Sequence, residues 1–147
     1  MNRITVGMAV MLSLLSLMGA VGAEVFAQAK AEKTFTAVLT DAQGVETEVR
    51  NVVYYWEEKL TDTSFIPHEL RHMPVKRGAA TVQVKFETIK QIDVKPGADK
   101  ALPALTITLT NGKTGEFSPA INGSFRGESD FGQVDVPLGT VAKVVLK

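Results

Sequence analysis

The sequence contains no cysteine, and this absence removes several classes of site at once. A chain without thiols forms no disulfides, builds no cysteine metal centre and has no thiolate nucleophile. Exported proteins often carry disulfides but do not need them, so the missing cysteines argue neither for nor against export.

An excess of either charge is also missing. Sixteen Lys and Arg residues balance sixteen Asp and Glu residues, and the formal net charge at pH 7 is +0. Nucleic acids and anionic lipid surfaces are bound through clustered basic side chains. We therefore expect no nucleic-acid partner for this chain.

Side chains that often carry chemistry are few. The chain has two histidines, two tyrosines and one tryptophan, all of them between residues 54 and 72. It contains no G-x-S-x-G nucleophile elbow, no phosphate-binding loop and no EF-hand calcium loop. The candidate site residues therefore come from one short stretch.

At the N-terminus, a short basic start precedes a long apolar run. Met1 to Arg3 carries the positive charge, and Ile4 to Ala20 contains no charged residue. This succession, followed by small residues, is typical of a cleavable signal peptide. The spacing of the small side chains suits cleavage after three residues: Ala23, Ala27 and Ala29. We predict a signal peptide over residues 1–29.

An uncleaved membrane anchor is the alternative, because such a helix needs about 20 apolar residues and this run is near that length. The glycines within the run and its alanine-rich end favour cleavage. No cysteine follows the run, which excludes a bacterial lipoprotein anchor. We therefore expect a mature protein that has no membrane span and is periplasmic or extracellular.

The mature chain, residues 30–147, carries the two-residue hydrophobic period of β-strands. Residues 34–40 alternate between threonine and mainly apolar side chains, and residues 45–50 alternate again after turn residues at 41–44. Asn111-Gly112 provides a second hairpin turn, because this pair tolerates positive φ values. We predict a single β domain with little helix.

Two stretches of the mature chain resemble each other. Residues 81–94 align with residues 133–146 without a gap, and their main apolar positions coincide. The predicted organisation has three parts: a first repeat at 33–94, a linker at 95–103 and a second repeat at 104–147. The offset between matching positions falls from 70 at the first hairpins to 52 at the last strands. The first repeat therefore holds an insertion of 18 residues, at about 51–78.

Both aligned stretches contain a step of three between apolar positions, from Phe86 to Ile89 and from Leu138 to Val141. Such a step predicts a single tight or 3₁₀ turn between two strands. The chain looks like an exported bacterial β domain. Its succession of strand, one-turn helix and short closing strand resembles the end of SH3-like and Sm-like small barrels. The resemblance implies an all-β fold, either two degenerate repeats forming such barrels or one β-sandwich or barrel, and it transfers no activity.

The insertion at 51–78 is the part of the mature chain that the repeat does not explain. Insertions on one face of a repeat architecture are frequent sites of binding. We therefore expect a non-catalytic binding or structural module that contacts a protein or an envelope component through this face. The sequence leaves the oligomeric state open.

The insertion contains His68-Glu69-Leu70-Arg71-His72, which matches the H-E-x-x-H pattern of zinc proteases. In that family both imidazoles project from one face of a long helix. Pro67 and Pro74 limit any helix here to about two turns. A catalytic zinc ion also needs a third protein ligand, and the sequence offers no histidine or glutamate at the spacing that these families use. A solvated loop is the simpler interpretation. Zinc binding by His68 and His72, and a metal-dependent hydrolase, are the alternatives; otherwise no cofactor is expected.

The segment Tyr54-Tyr55-Trp56 holds both tyrosines and the only tryptophan. In a strand, Tyr54 and Trp56 share one face and Tyr55 points to the other. Core packing is the simpler interpretation of these rings. The alternative is a carbohydrate-binding module that uses Tyr55 and Trp56, with Phe65 of the insertion as a further ligand-binding residue.

Overall fold

The computed structural model describes residues 33–97 and 102–147. The predicted signal peptide at 1–29 and residues 98–101 of the predicted linker lie outside the described residues, so both remain predictions. Residues 34–147 form one compact unit.

The described residues form an all-β fold, which confirms the all-β prediction. The eleven strands are, in chain order, β1 (Ala37–Asp41), β2 (Glu46–Thr61), β3 (Ser64–Leu70), β4 (His72–Arg77), β5 (Ala80–Lys85), β6 (Ile89–Lys95), β7 (Ala104–Leu109), β8 (Thr114–Pro119), β9 (Ser124–Ser129), β10 (Gly132–Pro137) and β11 (Val141–Leu146). Two one-turn 3₁₀ helices, Phe86–Thr88 and Leu138–Thr140, complete the regular structure. The described part of the chain has no helix that is long and apolar enough to cross a membrane.

Local sequence explains the turns of the two predicted hairpins, β1–β2 and β7–β8. Between β1 and β2, the Asp41 carboxylate accepts hydrogen bonds from two backbone N–H groups of the turn, and Gly44 has a φ of +83°. Between β7 and β8, the Asn111 side chain accepts one such bond and Gly112 has a φ of +89°. Short carbonyl side chains bond readily to the backbone two residues on, and glycine adopts positive φ without a steric cost. Both predicted hairpins are present.

The predicted step of three forms a 3₁₀ turn in both stretches. Phe86 and Leu138 begin these turns, and both side chains are buried. The hydroxyls of Thr88 and Thr140 each donate to the backbone carbonyl three residues earlier, at 2.8 Å in both cases. Each turn therefore begins with a buried apolar residue and is closed by an equivalent threonine hydrogen bond.

All strand pairs are antiparallel, and the hydrogen-bonded order of the sheet is β10-β9-β2-β1-β11-β6-β7-β8-β4-β5, with β3 paired to β2 beside this path. The first strand, β1, lies between β2 and the last strand, β11. The second strand of each hairpin then pairs with a strand from the other half of the chain, β2 with β9 and β8 with β4. The two halves of the sequence are thus interleaved in one open sheet.

A single hydrophobic core holds the strands together. Its largest fully buried side chains come from both halves of the chain: Tyr54, Phe86, Phe125, Leu39, Met73, Ile92, Leu105, Ile107 and Leu138. The rings of Tyr54 on β2 and Phe125 on β9 meet edge to face, with their centroids 5.3 Å apart. Such pairs add about 0.5–1.5 kcal/mol to the burial of the rings themselves.

A bulge lets β2 change direction along its sixteen residues. Asn51 has a φ of +51°, and the register of β2 against β9 shifts between Arg50 and Val53. Opposite the bulge stands Gly127 of β9, where a Cβ atom would collide with the Val49 side chain and the Arg50 carbonyl. Bulged strands bend and twist more strongly than regular ones. The glycine therefore permits the close approach that the bulge requires.

Candidate functional site

The second half of β2 and strand β3 form a two-stranded arm, defined here as residues 56–70. β2 pairs with β9 as far as Tyr55, and beyond that residue β3 is its only strand partner in the described chain. β3 itself has no second strand neighbour among the described residues. The outer edges of the arm therefore present backbone N–H and C=O groups that no described strand pairs.

Three large apolar side chains of the arm are exposed to solvent. The exposed fractions are 56% for Leu60, 49% for Phe65 and 39% for Ile66. In the β2–β3 ladder, Phe65 lies opposite Lys59 and Ile66 lies opposite Glu58. Successive residues of a strand point to opposite faces, so Phe65 and Ile66 project from the two faces of the arm. The outer end of the arm is apolar on both faces.

The arm that carries this apolar end is acidic. The arm contains four acidic residues, Glu57, Glu58, Asp62 and Glu69, and one basic residue, Lys59. The Lys59 ammonium lies 3.4 Å from the Asp62 carboxylate, and both side chains are well exposed. The arm therefore carries net negative charge, although the whole chain is balanced.

One face of the arm is held at its base by Trp56 and His68. Their rings are stacked, with centroids 4.5 Å apart and planes inclined by 12°. The His68 Nε2 atom lies 3.1 Å from a carboxylate oxygen of Glu58. The stacked histidine ring covers one face of the indole. The Trp56 indole nitrogen is buried and has no hydrogen-bond partner among the described residues.

The opposite face of the arm begins at Tyr55. The Arg126 guanidinium lies 3.5 Å from the centre of the Tyr55 ring and donates to the Asp135 carboxylate at 2.7 Å. The Tyr55 hydroxyl donates to the Glu57 carboxylate at 2.7 Å, and this hydrogen bond raises the pKa of Tyr55. A cation over an aromatic face is attracted by the ring quadrupole. The contacts with Arg126 tie the base of the arm to β9.

The predicted ligand-binding residues Tyr55, Trp56 and Phe65 are not brought together in one aromatic platform. Tyr55 and Trp56 are neighbours on β2 and point to opposite faces, as strand alternation predicts. Each of these rings already has one face covered, by Arg126 and His68 respectively. Phe65 lies nearer the tip, on the face of Tyr55. Trp56 and Phe65 thus belong to the arm and Tyr55 immediately precedes it, but the three rings do not form one surface.

The H-E-x-x-H residues lie in strands, which corrects the loop interpretation. His68 belongs to β3, Arg71 forms a bend and His72 begins β4. Pro67 and Pro74 favour this outcome, because a residue before proline is pushed towards extended conformations. Burial lowers the pKa of His72. The described residues contain no group of three or more His, Cys, Asp or Glu placed to hold a metal ion.

A second candidate site, which the sequence analysis missed, is a cavity of about 580 Å³ beside the edge strand β5. Its lining comes from the end of β4, from β5 and from the β7–β8 hairpin. Apolar and basic side chains line it together: Val84, Ile107, Leu109, Phe117, Arg77, Lys85 and Lys113 among them. These residues lie in two separate parts of the chain, so no local sequence pattern could indicate the cavity.

Comparison with known proteins gives one match. No curated protein and no solved structure matches the chain. A family model described as "Uncharacterised protein" matches residues 31–147, a range that includes every residue the structure describes. The chain therefore belongs to this family of uncharacterised proteins.

Proposed function

We propose that the protein is an exported, non-catalytic binding module that contacts a protein partner through the arm, in the periplasm or outside the cell. The observation that carries this proposal is the arm itself, a ribbon of two strands whose outer end exposes Leu60, Phe65 and Ile66. Export rests on the predicted signal peptide at residues 1–29.

The exposed apolar side chains support association with a partner. Removing a Leu, Ile or Phe side chain fully from water contributes about 1.5–3 kcal/mol. The three side chains at the end of the arm are already half covered, so their combined contribution on binding is a few kcal/mol, about the value of one or two full burials. That is enough to anchor an interface but not to form one alone.

The strand edges of the arm support a protein rather than a sugar or a lipid. An unpaired strand edge is a template for an extended segment of another chain, whose backbone completes the ladder. The acidic residues of the arm, Glu57, Glu58, Asp62 and Glu69, favour a partner segment that carries basic side chains beside apolar ones.

At the level of fold, we propose that the two predicted repeats form two five-stranded units resembling SH3-like barrels, assembled crosswise. The half-sheets β11-β1-β2-β9-β10 and β6-β7-β8-β4-β5 hold corresponding strands at corresponding places. The Ala42 N–H donates to the Thr140 carbonyl and the Thr110 N–H donates to the Thr88 carbonyl, both at 2.9 Å. Each unit then takes two strands from one repeat and three from the other, and the arm lies within the predicted insertion at about 51–78.

The two alternative functions have less support. Carbohydrate binding through Tyr55 and Trp56 requires a common stacking surface, whereas these rings point to opposite faces of β2. A metal-dependent hydrolase requires both imidazoles beside one zinc ion and a third protein ligand, whereas His68 and His72 lie in different strands. Elemental analysis of zinc in the purified protein tests this second alternative directly.

The test of the arm uses a photo-crosslinking amino acid in the full chain, in the producing cell. One variant carries it at position 65, and the matched control carries it at position 131, because Phe131 is fully exposed at the tip of the β9–β10 hairpin. We expect a light-dependent adduct with one discrete protein at position 65 and none at position 131. The captured protein is then purified, and we expect Phe65→Ser to weaken its binding about tenfold or more.

Two results would overturn the proposal. The first is the absence of a protein adduct at position 65, or equal adducts at both positions. The second is equal affinity of the purified partner for the wild-type protein and for Phe65→Ser. Phe131→Ser serves as the control for loss of an exposed aromatic ring, and it is expected to leave the affinity unchanged.

A further inference from the structure

We propose that the cavity beside β5 is a binding site for an anionic amphiphile, a single aliphatic chain that ends in a carboxylate or a phosphate. The site is separate from the arm, and nothing in the proposed contact with a protein partner requires it. Its volume of about 580 Å³ lies within the range of small-molecule sites in proteins, about 300–1,000 Å³.

The floor of the cavity suits an aliphatic chain. Ile107 of β7 is fully buried at its base, while Leu109, Val84 and Phe117 are half-buried around it. The Phe117 ring lies over Gly115, where a Cβ atom would stand 2.9 Å from the ring. A glycine at this position therefore gives the ring its place in the wall. These four side chains make only apolar contacts, so this part of the cavity favours an aliphatic chain over a polar group.

The rim of the cavity carries charge of one sign. Arg77 of β4, Lys85 of β5 and Lys113 of the β7–β8 turn line it, and no carboxylate does. None of the three forms an ion pair with another residue of the described ranges. Three cations at the mouth of an apolar cavity complement an anionic head whose chain lies inside.

The fold itself does not require these cations. At the offsets that relate the two halves of the chain, Ser129 corresponds to Arg77, Pro137 to Lys85 and Gln43 to Lys113. The corresponding strands form the same ladders without a charge at any of these positions. The basic rim is therefore present in the half-sheet β6-β7-β8-β4-β5 and not in its counterpart, which is what a ligand site predicts and a structural requirement does not.

Val82 is an exposed lining residue at which a negative charge can be introduced. Its side chain is 36% exposed on the edge strand β5 and lines the cavity. A glutamate there tests the charge preference without disturbing the core, because exposed positions tolerate polar substitution.

The experiment measures binding of four twelve-carbon probes by calorimetry, below their micelle concentrations, with the mature protein. The probes are dodecanoate, dodecyl phosphate, dodecanol and dodecyltrimethylammonium. We expect both anions to bind about tenfold or more tightly than the alcohol, and the cation to bind least. The affinity of the anions is expected to fall as salt is raised, whereas that of the alcohol is not. The stronger of the two anions distinguishes a fatty-acid ligand from a phosphate-headed lipid.

Matched charge variants locate the site. The triple variant Arg77→Ser, Lys85→Ser, Lys113→Ser is expected to lose the preference for anions, and Val82→Glu is expected to weaken it. The control is Lys76→Ser, Lys90→Ser, Lys143→Ser, which removes the same charge away from the cavity lining and is expected to bind as the wild type does. Phe65→Ser in the arm is likewise expected to bind the probes normally, which separates this site from the proposed function.

Three outcomes would overturn the inference. They are no binding of any probe, equal binding of the anions and the alcohol, and equal loss of anion binding in the two triple variants. Thermal unfolding of each variant shows that the comparison is made between folded proteins.

Discussion

The Tyr54 hydroxyl donates a hydrogen bond to the backbone carbonyl of Ile121, at 2.6 Å, across 67 residues of sequence. The same hydroxyl accepts a hydrogen bond from the Gly123 N–H at 2.8 Å. Tyr54 thus joins the middle of β2 to the connection between β8 and β9, while its ring is buried against Phe125. One side chain couples the two halves of the chain both through the core and through the backbone.

Tyr54→Phe is expected to lower the free energy of unfolding by about 1–3 kcal/mol, because the Ile121 carbonyl and the Gly123 N–H lose their partner in a partly buried place. Urea unfolding of the two proteins measures the difference. Tyr55→Phe is the matched control, since its hydroxyl bonds to an exposed Glu57 side chain. A cost for Tyr55→Phe as large as that for Tyr54→Phe would contradict the role assigned to Tyr54.

Burial raises the pKa of Tyr54 from 10.0 to about 12, so alkaline pH should destabilise the fold. Between these values the unfolded chain loses the phenolic proton and the folded chain keeps it. The contribution is therefore fully present below pH 10 and is lost as the pH rises towards 12. Ultraviolet titration of the folded protein should show a tyrosine that ionises at about 12, and Tyr54→Phe should abolish this step. A single titration step near 10 for both tyrosines would contradict this.

Gly127→Ala is expected to cost about 1–3 kcal/mol, because its methyl group would meet Val49 and the Arg50 carbonyl at the β2 bulge. Gly139→Ala is the control, since a Cβ atom there meets nothing within 4 Å and its φ is not positive. A change of no more than about 1 kcal/mol in either direction is expected for this control. Equal effects of the two substitutions in urea unfolding would show that the bulge does not need a glycine.

Acid should destabilise the fold through His72, whose pKa burial lowers from 6.5. As the pH falls below about 6.5, the unfolded chain binds a proton that the folded chain still resists. The contribution of His72 to the free energy of unfolding is therefore fully present at higher pH and is lost as the pH falls through this range. His72→Gln should remove this part of the decline. Parallel unfolding curves of wild type and variant between about pH 8 and pH 5 would contradict the assignment.

Phe125→Ala and Phe65→Ser should differ in stability, because Phe125 is packed in the core and Phe65 lies on the surface of the arm. Phe125 is buried against Tyr54, and its loss is expected to cost about 3–5 kcal/mol. Phe65 is half-exposed on the arm, and its loss is expected to change stability by about 0.5 kcal/mol or less. Thermal unfolding of both variants tests the contrast. A large loss of stability in Phe65→Ser would show that the arm packs more tightly than its exposure indicates.

Short-range features of the fold could be predicted from the sequence. Alternation at 34–50, the turn residues at 41–44 and Asn111-Gly112 predict two hairpins that the structure contains. The step of three after Phe86 and after Leu138 predicts the two 3₁₀ turns. These features depend on a few neighbouring residues, and the relevant backbone preferences are local.

The partners of the strands and the second candidate site could not be predicted. Alternation shows that β2 and β8 are strands but does not show that they pair with β9 and β4. The cavity depends on that pairing, because it brings Arg77 and Lys85 near Lys113. The arm lies within the predicted insertion at about 51–78, but strand β3 differs from the loop that the sequence predicts around His68. Long-range register decided each of these points.

The ladder between β1 and β11 joins the first described strand to the last. Until residues 141–146 are available, the N-terminal strands lack a neighbour at the centre of the sheet. Contacts of such large sequence separation form slowly, since a long loop must close first. Folding of the sheet should therefore follow synthesis of the last strand instead of accompanying the synthesis of the earlier ones.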